Sequence, residues 1–261
     1  MEFPLADYLH RVGLDPAPTP DREGLGQLHH AQFFAIPFEN LDIQLGQSIK
    51  LDSRTLVEKL IYRRRGGYCF ELNGLLLMAL ETLGFRARPL LARVHMSDPP
   101  SGRTHQVNAV QLGSETWLVD AGFGAGGPRF PMLLKDGWTR MQDGFGFRIL
   151  RKDPYGWIVQ SWESSWKDSY SFEKNRVSGP EIEVANYYTS HSRQSHFTTM
   201  RTVSKPTVGG RISLQNQVLT IIQGDSKQVR EVDESETLSV LANEFGLDLA
   251  VRFSDFIPLK D

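Results

Sequence analysis

Residues 65–73 read Arg65-Gly66-Gly67-Tyr68-Cys69-Phe70-Glu71-Leu72-Asn73, and they contain the only cysteine of the 261-residue chain. A single thiol cannot form an internal disulfide, so Cys69 serves either as buried bulk or as a reactive group. A long apolar pattern begins at Cys69, and a thiol at a helix N-terminus lies at the positive end of the helix dipole, which favours the nucleophilic thiolate. The stretch therefore predicts a central helix whose first residue is a candidate nucleophile.

The first third of the chain has the apolar spacing of helices. Residues 5–12 predict a first helix, Asp21 is placed to cap a second, and Asp52 or Ser53 a third. A fourth helix is expected over 69–83, followed by Gly84 as its C′ residue. Because this fourth helix is apolar almost all round, we expect it to be buried.

After residue 84 the apolar period changes to that of short strands separated by turns, which predicts an antiparallel sheet or small barrel. The first group of predicted strands is 86–94, 104–111, 116–120, 144–150, 157–162 and 169–172. A short helix over 180–188 precedes a second group, predicted at 200–203, 211–214, 217–222 and 228–232. A final helix follows Asp233 or Ser235.

Composition excludes several function classes. The net charge is −2, which argues against a general nucleic-acid binder. No stretch reaches the roughly 20 apolar residues that a membrane helix needs. Residues 1–5 lack the basic and apolar regions of a secretory signal, and one cysteine suits a reducing compartment, so we expect a cytoplasmic protein.

A reactive cysteine needs a base, and His105 is the strongest candidate because it lies within a predicted strand. If Gly113-Ser114 forms a two-residue hairpin turn, Asp120 faces Val107 and is a diagonal neighbour of His105 on one face of the sheet. The carboxylate could then orient the imidazole, leaving its other nitrogen for the thiol. Structural roles stay open, since strand histidines often simply find partners and Asp120 could be a turn former.

Two other features have simpler interpretations. His29 and His30 are expected on a polar helix face. Gly122, Gly124 and Gly127 fit the dinucleotide-binding glycine pattern, but the prolines that follow are poor helix material, so a flexible loop beside the site is expected instead.

Four segments in order resemble the signature segments of the arylamine N-acetyltransferases. They are the stretch around Cys69, the strand around His105, the run Val119-Asp120-Ala121-Gly122-Phe123-Gly124, and Pro37-Phe38-Glu39-Asn40-Leu41. The resemblance implies an α+β fold with a helical bundle (1–84), a central antiparallel β-barrel (85–188) and a C-terminal α/β lid (189–261). It also implies a catalytic core related to papain-like proteases and transglutaminases.

The resemblance also implies roles for individual residues. Cys69, His105 and Asp120 would form the catalytic triad, and Arg65 would pair with Glu39 as structural support. The residues implied around the cofactor are Thr104, Gly122, Phe123 and Gly124, and those implied around the substrate are Phe38 and Phe123. Acetyl-CoA would be the acyl donor, arylamines or arylhydrazines the acceptors, and no metal or prosthetic group is expected.

Two other readings remain open from the sequence. The same triad would serve an amide synthase, or a hydrolase or transpeptidase-like enzyme in which water or a peptide amine accepts the acyl group. A binding protein that has kept the fold without activity is the second reading, although the presence of Cys, His and Asp together argues against it.

Overall fold

The computed structural model describes residues 2–258 and shows a helical N-terminal third followed by two antiparallel sheets. The helices of the first third are α1 (Leu5–Val12), α2 (Arg22–Ala35), α3 (Leu41–Gln44), α4 (Ser53–Val57) and α5 (Cys69–Thr82). A π-helical turn, Glu58–Tyr62, continues α4. The later helices are α6 (Gly179–His191), α7 (His196–Thr199) and α8 (Glu234–Phe245), with a 3-10 turn at Phe253–Asp255.

The caps of these helices follow from the sequence. Asp21 accepts a hydrogen bond from the backbone of Gly24, and Asp52 accepts one from Thr55, so two predicted N-caps are confirmed. Gly84 has a φ of +87°, which suits glycine directly after the end of α5. Helix α5 is buried along nearly its whole length, as its apolar composition predicts.

Eight strands form the central sheet, in the spatial order β5-β4-β3-β2-β9-β8-β7-β6. Their bounds are β2 (Arg86–Val94), β3 (Arg103–Leu112), β4 (Glu115–Val119), β5 (Met132–Leu133), β6 (Thr139–Gln142), β7 (Phe145–Lys152), β8 (Gly156–Trp162) and β9 (Trp166–Phe172). One face of β2–β4 packs on α5 through Val110 and Trp117, and the other lines a second core with Leu90 and Val107. The sheet's hydrogen-bond ladder has β5 and β6 as its two edges, so it is an open curled sheet rather than a closed barrel.

A second sheet contains the C-terminal strands and one short piece of the N-terminal third. Its order is β1 (Phe38–Glu39), β10 (Thr202–Thr207), β11 (Gly210–Gln215), β12 (Val218–Gln223) and β13 (Ser226–Glu231). Helix α8 packs on this sheet through Val240, Leu241 and Phe245. The strand β1 is not evident in the sequence, because two residues carry no periodicity and pair with Ser204 and Val203 far along the chain.

The predicted α+β composition is confirmed, and the division at 84 and 188 stays a prediction. Helix α6 runs across the second of these boundaries. Residues 38–39 add a strand to the C-terminal sheet, so the helical third and the last third share a backbone ladder.

Candidate active site

Cys69 is the first residue of α5, and only 3% of it is exposed. Glu71, two residues later, accepts a hydrogen bond from the backbone N–H of Tyr68 at 3.1 Å, which satisfies one donor at the start of the helix. The sulfur lies 3.8 Å from the carbonyl oxygen of Thr104, the residue directly before His105. The central helix thus presents its cysteine to the strand that contains His105.

His105 and Asp120 meet through the hairpin of β3 and β4. Leu112 pairs with Glu115 and Asn108 with Val119, which is the register that the turn Gly113-Ser114 predicts. Asp120 follows directly, and its Oδ2 lies 2.8 Å from Nε2 of His105. Because Nε2 contacts the carboxylate, Nδ1 is the ring nitrogen left to exchange a proton with the sulfur.

The charges of this pair support each other. Burial by itself lowers the pKa of His105, but the Asp120 carboxylate and the hydrogen bonds to Asp120 and Cys69 outweigh it and raise the pKa to about 10. Burial also opposes the charge on Asp120, yet His105, Asn73 and the Gly122 backbone hold the pKa of this carboxyl below its usual value. Each partner therefore favours the charged form of the other.

Asn73 connects Asp120 to the helix of the nucleophile, and the sequence reasoning did not assign it a role. Its Nδ2 donates to Asp120 Oδ1 at 2.9 Å, and its Oδ1 accepts from the backbone N–H of Ala121 at 3.0 Å. Asn73 stands four residues after Cys69, so both project from one face of α5. The four-residue spacing between Cys69 and Asn73 is the feature of the sequence from which this role could have been inferred. We name His105, Asp120 and Asn73 the strand cluster.

A second buried group of charges lies at the start of α5. Lys59 contacts Asp42 and Glu71 at 2.7 Å each, and Arg65 contacts Glu39 and Asp42 at 2.7 Å each. We name these five residues the helix-end cluster. Burial opposes the charge on both cations, but the carboxylates around them raise the pKa of Lys59 and of Arg65 above their usual values. The sequence indicated only the pair of Arg65 and Glu39.

The loop after Asp120 approaches α5 closely. A Cβ on Gly122 would lie 2.6 Å from Asn73 Nδ2 and 2.9 Å from Cys69 Cα, so this position requires glycine. Gly124 has a φ of +72°, and Ala125 N donates to Ser204 Oγ at 3.0 Å. No helix follows the glycines, as the sequence reasoning expected.

Aromatic side chains surround the sulfur and the imidazole. The rings of Phe123 and Tyr170 each lie 5.1 Å from the ring of His105. Phe38 is half-buried and 5.9 Å from Phe197 of α7. Thr104 directly precedes His105, and its hydroxyl contacts Ser101 Oγ at 3.2 Å. The site therefore combines a reactive polar centre with flat apolar surfaces.

His29 is not on a polar helix face, so that expectation is wrong. Its side chain is 1% exposed, and Nε2 lies 3.1 Å from the backbone carbonyl oxygen of Asp120. His30, the next residue, is half-buried and stacks on Phe130. The face of α2 that contains His29 is covered by the loop after Asp120, a packing partner that the local pattern does not show.

Comparison with known proteins identifies the family. A family model described as N-acetyltransferase matches residues 21–254. A relative from Salmonella typhimurium, named arylamine N-acetyltransferase / N-hydroxyarylamine O-acetyltransferase, is 36% identical over 92% of this chain and 87% of its own length. The chain belongs to the arylamine N-acetyltransferase family. An arylamine N-acetyltransferase of Mycolicibacterium smegmatis is 35% identical over 95% of this chain and 94% of the relative.

Solved structures agree with this membership. The arylamine N-acetyltransferase from Salmonella typhimurium has a TM-score of 0.91 at 33% identity, covering 96% of this chain and 95% of that one. The Mycobacterium marinum arylamine N-acetyltransferase in complex with CoA has a TM-score of 0.90 at 29% identity, covering 96% of each chain. The family resemblance seen in the sequence is confirmed, and the chain is an acyltransferase with the fold of these enzymes.

The described part of the chain has neither a cluster of metal-binding side chains nor a membrane-spanning helix. Within residues 2–258 no three or more His, Cys, Asp or Glu side chains are grouped as metal ligands would be. In the same range no helix is long and apolar enough to cross a bilayer. Catalysis without a metal or prosthetic group stays a prediction.

Proposed function

We propose that this acyltransferase moves the acetyl group of acetyl-CoA through a thioester on Cys69 to an arylamine or arylhydrazine. The observation that carries the proposal is the position of Cys69 at the start of α5 beside His105, whose Nε2 lies 2.8 Å from Asp120. Nucleophilic catalysis by a thiol needs a base within reach and a third group that orients the base. Cys69, His105 and Asp120 fit these roles, as in papain-like and transglutaminase-like enzymes.

In the first half-reaction the Cys69 thiolate attacks the carbonyl carbon of acetyl-CoA. The bond between that carbon and the coenzyme A sulfur breaks, and the proton of the His105 imidazolium passes to the departing sulfur. Coenzyme A leaves as a thiol, Cys69 is a thioester and His105 is neutral. The raised pKa of His105 favours the protonated imidazole that this step uses as its acid.

In the second half-reaction the amine nitrogen attacks the thioester, and neutral His105 takes the N–H proton. The bond to the Cys69 sulfur breaks, so the thiolate and the imidazolium are restored. An arylamine is largely neutral at pH 7 and needs no prior deprotonation. This order of events is a ping-pong mechanism.

Flat apolar surfaces near the sulfur suit such an acceptor. We assign Phe38 and Phe123 to the acceptor site, because both are half-buried and Phe123 packs on His105. Thr104, Gly122, Phe123 and Gly124 are the residues proposed to contact the acetyl donor. Support for the donor comes from the Mycobacterium marinum relative, whose structure is a complex with CoA. We place the reaction in the cytoplasm, where a free thiol stays reduced.

The thioester is tested by mixing the protein with acetyl-CoA in the absence of amine and measuring its intact mass. We expect a gain of one acetyl group that is absent in Cys69→Ala and disappears when an arylamine is added. If the wild-type mass stays unchanged, the thioester mechanism is wrong.

The same experiment separates the alternative reactions. Loss of the adduct at equal rates with and without amine would indicate a hydrolase. Transfer of longer acyl groups in preference to acetyl, tested with propionyl- and malonyl-CoA, would favour an amide synthase. A panel of arylamines, arylhydrazines and N-hydroxyarylamines then defines the acceptor.

A further inference from the structure

The buried side chain of His29 contacts the backbone of Asp120, outside the proposed triad. Its Nε2 lies 3.1 Å from the Asp120 carbonyl oxygen, although the two residues are 91 positions apart in the sequence. The imidazole is 1% exposed and its ring meets Phe33 edge-on at 6.3 Å. At this buried position the imidazole gives the Asp120 carbonyl oxygen a hydrogen-bond donor, which an apolar side chain could not supply.

The peptide group between Asp120 and Ala121 is held at both of its polar atoms. His29 of α2 donates to the carbonyl oxygen, and the N–H donates to Oδ1 of Asn73 from α5 at 3.0 Å. Fixing this peptide plane fixes the backbone torsion ψ of Asp120. The direction in which its carboxylate meets His105 then depends on both contacts.

His29 is suited to this position because it is uncharged there. Burial lowers the pKa of His29 to about 4, against an opposing effect of Asp120, while His30 is the other titratable group acting on it. A cation at the same place would compete with His105 for the Asp120 carboxylate. A neutral imidazole holds the carbonyl and leaves the carboxylate to His105.

We propose that His29 is a positioning residue for acyl transfer, acting by fixing the Asp120–Ala121 peptide so that Asp120 orients His105. This inference rests on the proposed transfer at Cys69. It predicts that the donor nitrogen, and not the bulk of the ring, is what the reaction needs.

Two polar substitutions separate donor position from bulk. The amide nitrogen of glutamine reaches the place of Nε2 in histidine, whereas that of asparagine reaches only the place of Nδ1. We expect His29→Asn to acetylate Cys69 about tenfold more slowly than wild type, since small misplacements at a reacting centre are costly. His29→Gln should stay within about twofold of wild type, and so should the control His30→Asn.

Rates are measured per folded site, as single-turnover acetylation followed by intact mass, with KM for acetyl-CoA measured in parallel. The rate of Cys69 alkylation by iodoacetamide, measured across pH, should rank the variants in the same order. This reaction also depends on the arrangement of His105 and Asp120, but it needs no acetyl-CoA. A purely structural role would lower the folded fraction but not these rates. Wild-type rates in His29→Asn, or equal losses in the Asn and Gln variants, would overturn the proposal. Absence of an acetyl adduct in wild type would instead refute the proposed function, and the alkylation series would still decide the role of His29.

Discussion

Two buried clusters of charged side chains flank the start of α5, and they differ in which groups can change charge. The strand cluster contains His105, whose pKa is raised to about 10 by Asp120 against the effect of burial. In the helix-end cluster, Lys59 and Arg65 stay charged, because neighbouring carboxylates, three around Lys59 and two around Arg65, raise the pKa of each cation although burial opposes this. The comparison teaches that a pair built on a histidine can move protons, whereas a network built on a lysine and an arginine that keep their charges holds position.

Replacing Asp120 by Asn should produce the largest effect, and mainly on rate. The amide cannot stabilise the imidazolium form of His105, so we expect acetyl transfer to fall by about 10⁴-fold, as for comparable triads. The folded state should persist, since Asn73 and Gly122 remain near the side chain. Steady-state kinetics and circular dichroism measure the two quantities. The exposed change Asp98→Asn is the control, and near-normal activity in Asp120→Asn would remove Asp120 from the triad.

Replacing Lys59 by Met should affect stability instead. It leaves Glu71 without a cation in a buried site, while Asp42 keeps only Arg65, and breaking a buried ion pair costs about 3–5 kcal/mol. Urea denaturation measures the loss. Adding Glu71→Gln to this variant should recover part of the stability, because one uncompensated charge is removed. A loss below about 1 kcal/mol in Lys59→Met would contradict the structural role of the cluster.

The pH dependence of stability should distinguish the clusters further. Because the pKa of His105 is higher in the folded protein (about 10) than its ordinary value of 6.5, its contribution is fully present below pH 6.5 and is lost as pH rises towards 10. We therefore expect the stability difference between wild type and His105→Gln to shrink by at least about 1.4 kcal/mol between pH 6.5 and 10. Urea titrations at several pH values measure it, and a constant difference would show that His105 and Asp120 are not coupled.

Two glycine substitutions should give the smallest effects, with opposite signs. Gly122→Ala places a methyl group against Asn73 and Cys69, and such overpacking costs about 1–3 kcal/mol. Gly26→Ala in α2 meets no atom within 4 Å and should stabilise the protein by about 0.5–1 kcal/mol. Thermal unfolding measures both. Equal shifts in unfolding temperature for Gly122→Ala and Gly26→Ala would contradict the tight packing of the loop after Asp120 against α5.

Much of the site could be predicted because its signals are local. The helix starting at Cys69 followed from its apolar run, and the pairing of β3 with β4 followed from a two-residue turn. The ion pairs of Lys59 could not be predicted, since this residue lies within a π-helical turn and meets Asp42 and Glu71 only in the folded chain. Nor could the open edges of the central sheet, because closure depends on strand curvature rather than on strand sequence.

The sequence by itself determined the helix of Cys69, the register that brings Asp120 to His105, and the family, because period, turn type and signature segments are written in neighbouring residues. Only the tertiary structure decided what surrounds that pair. His29 reaches Asp120 across 91 residues, and β1 joins a sheet more than 160 residues away. Contacts over such distances depend on how elements pack, and hydrophobic pattern alone does not encode which polar groups then meet.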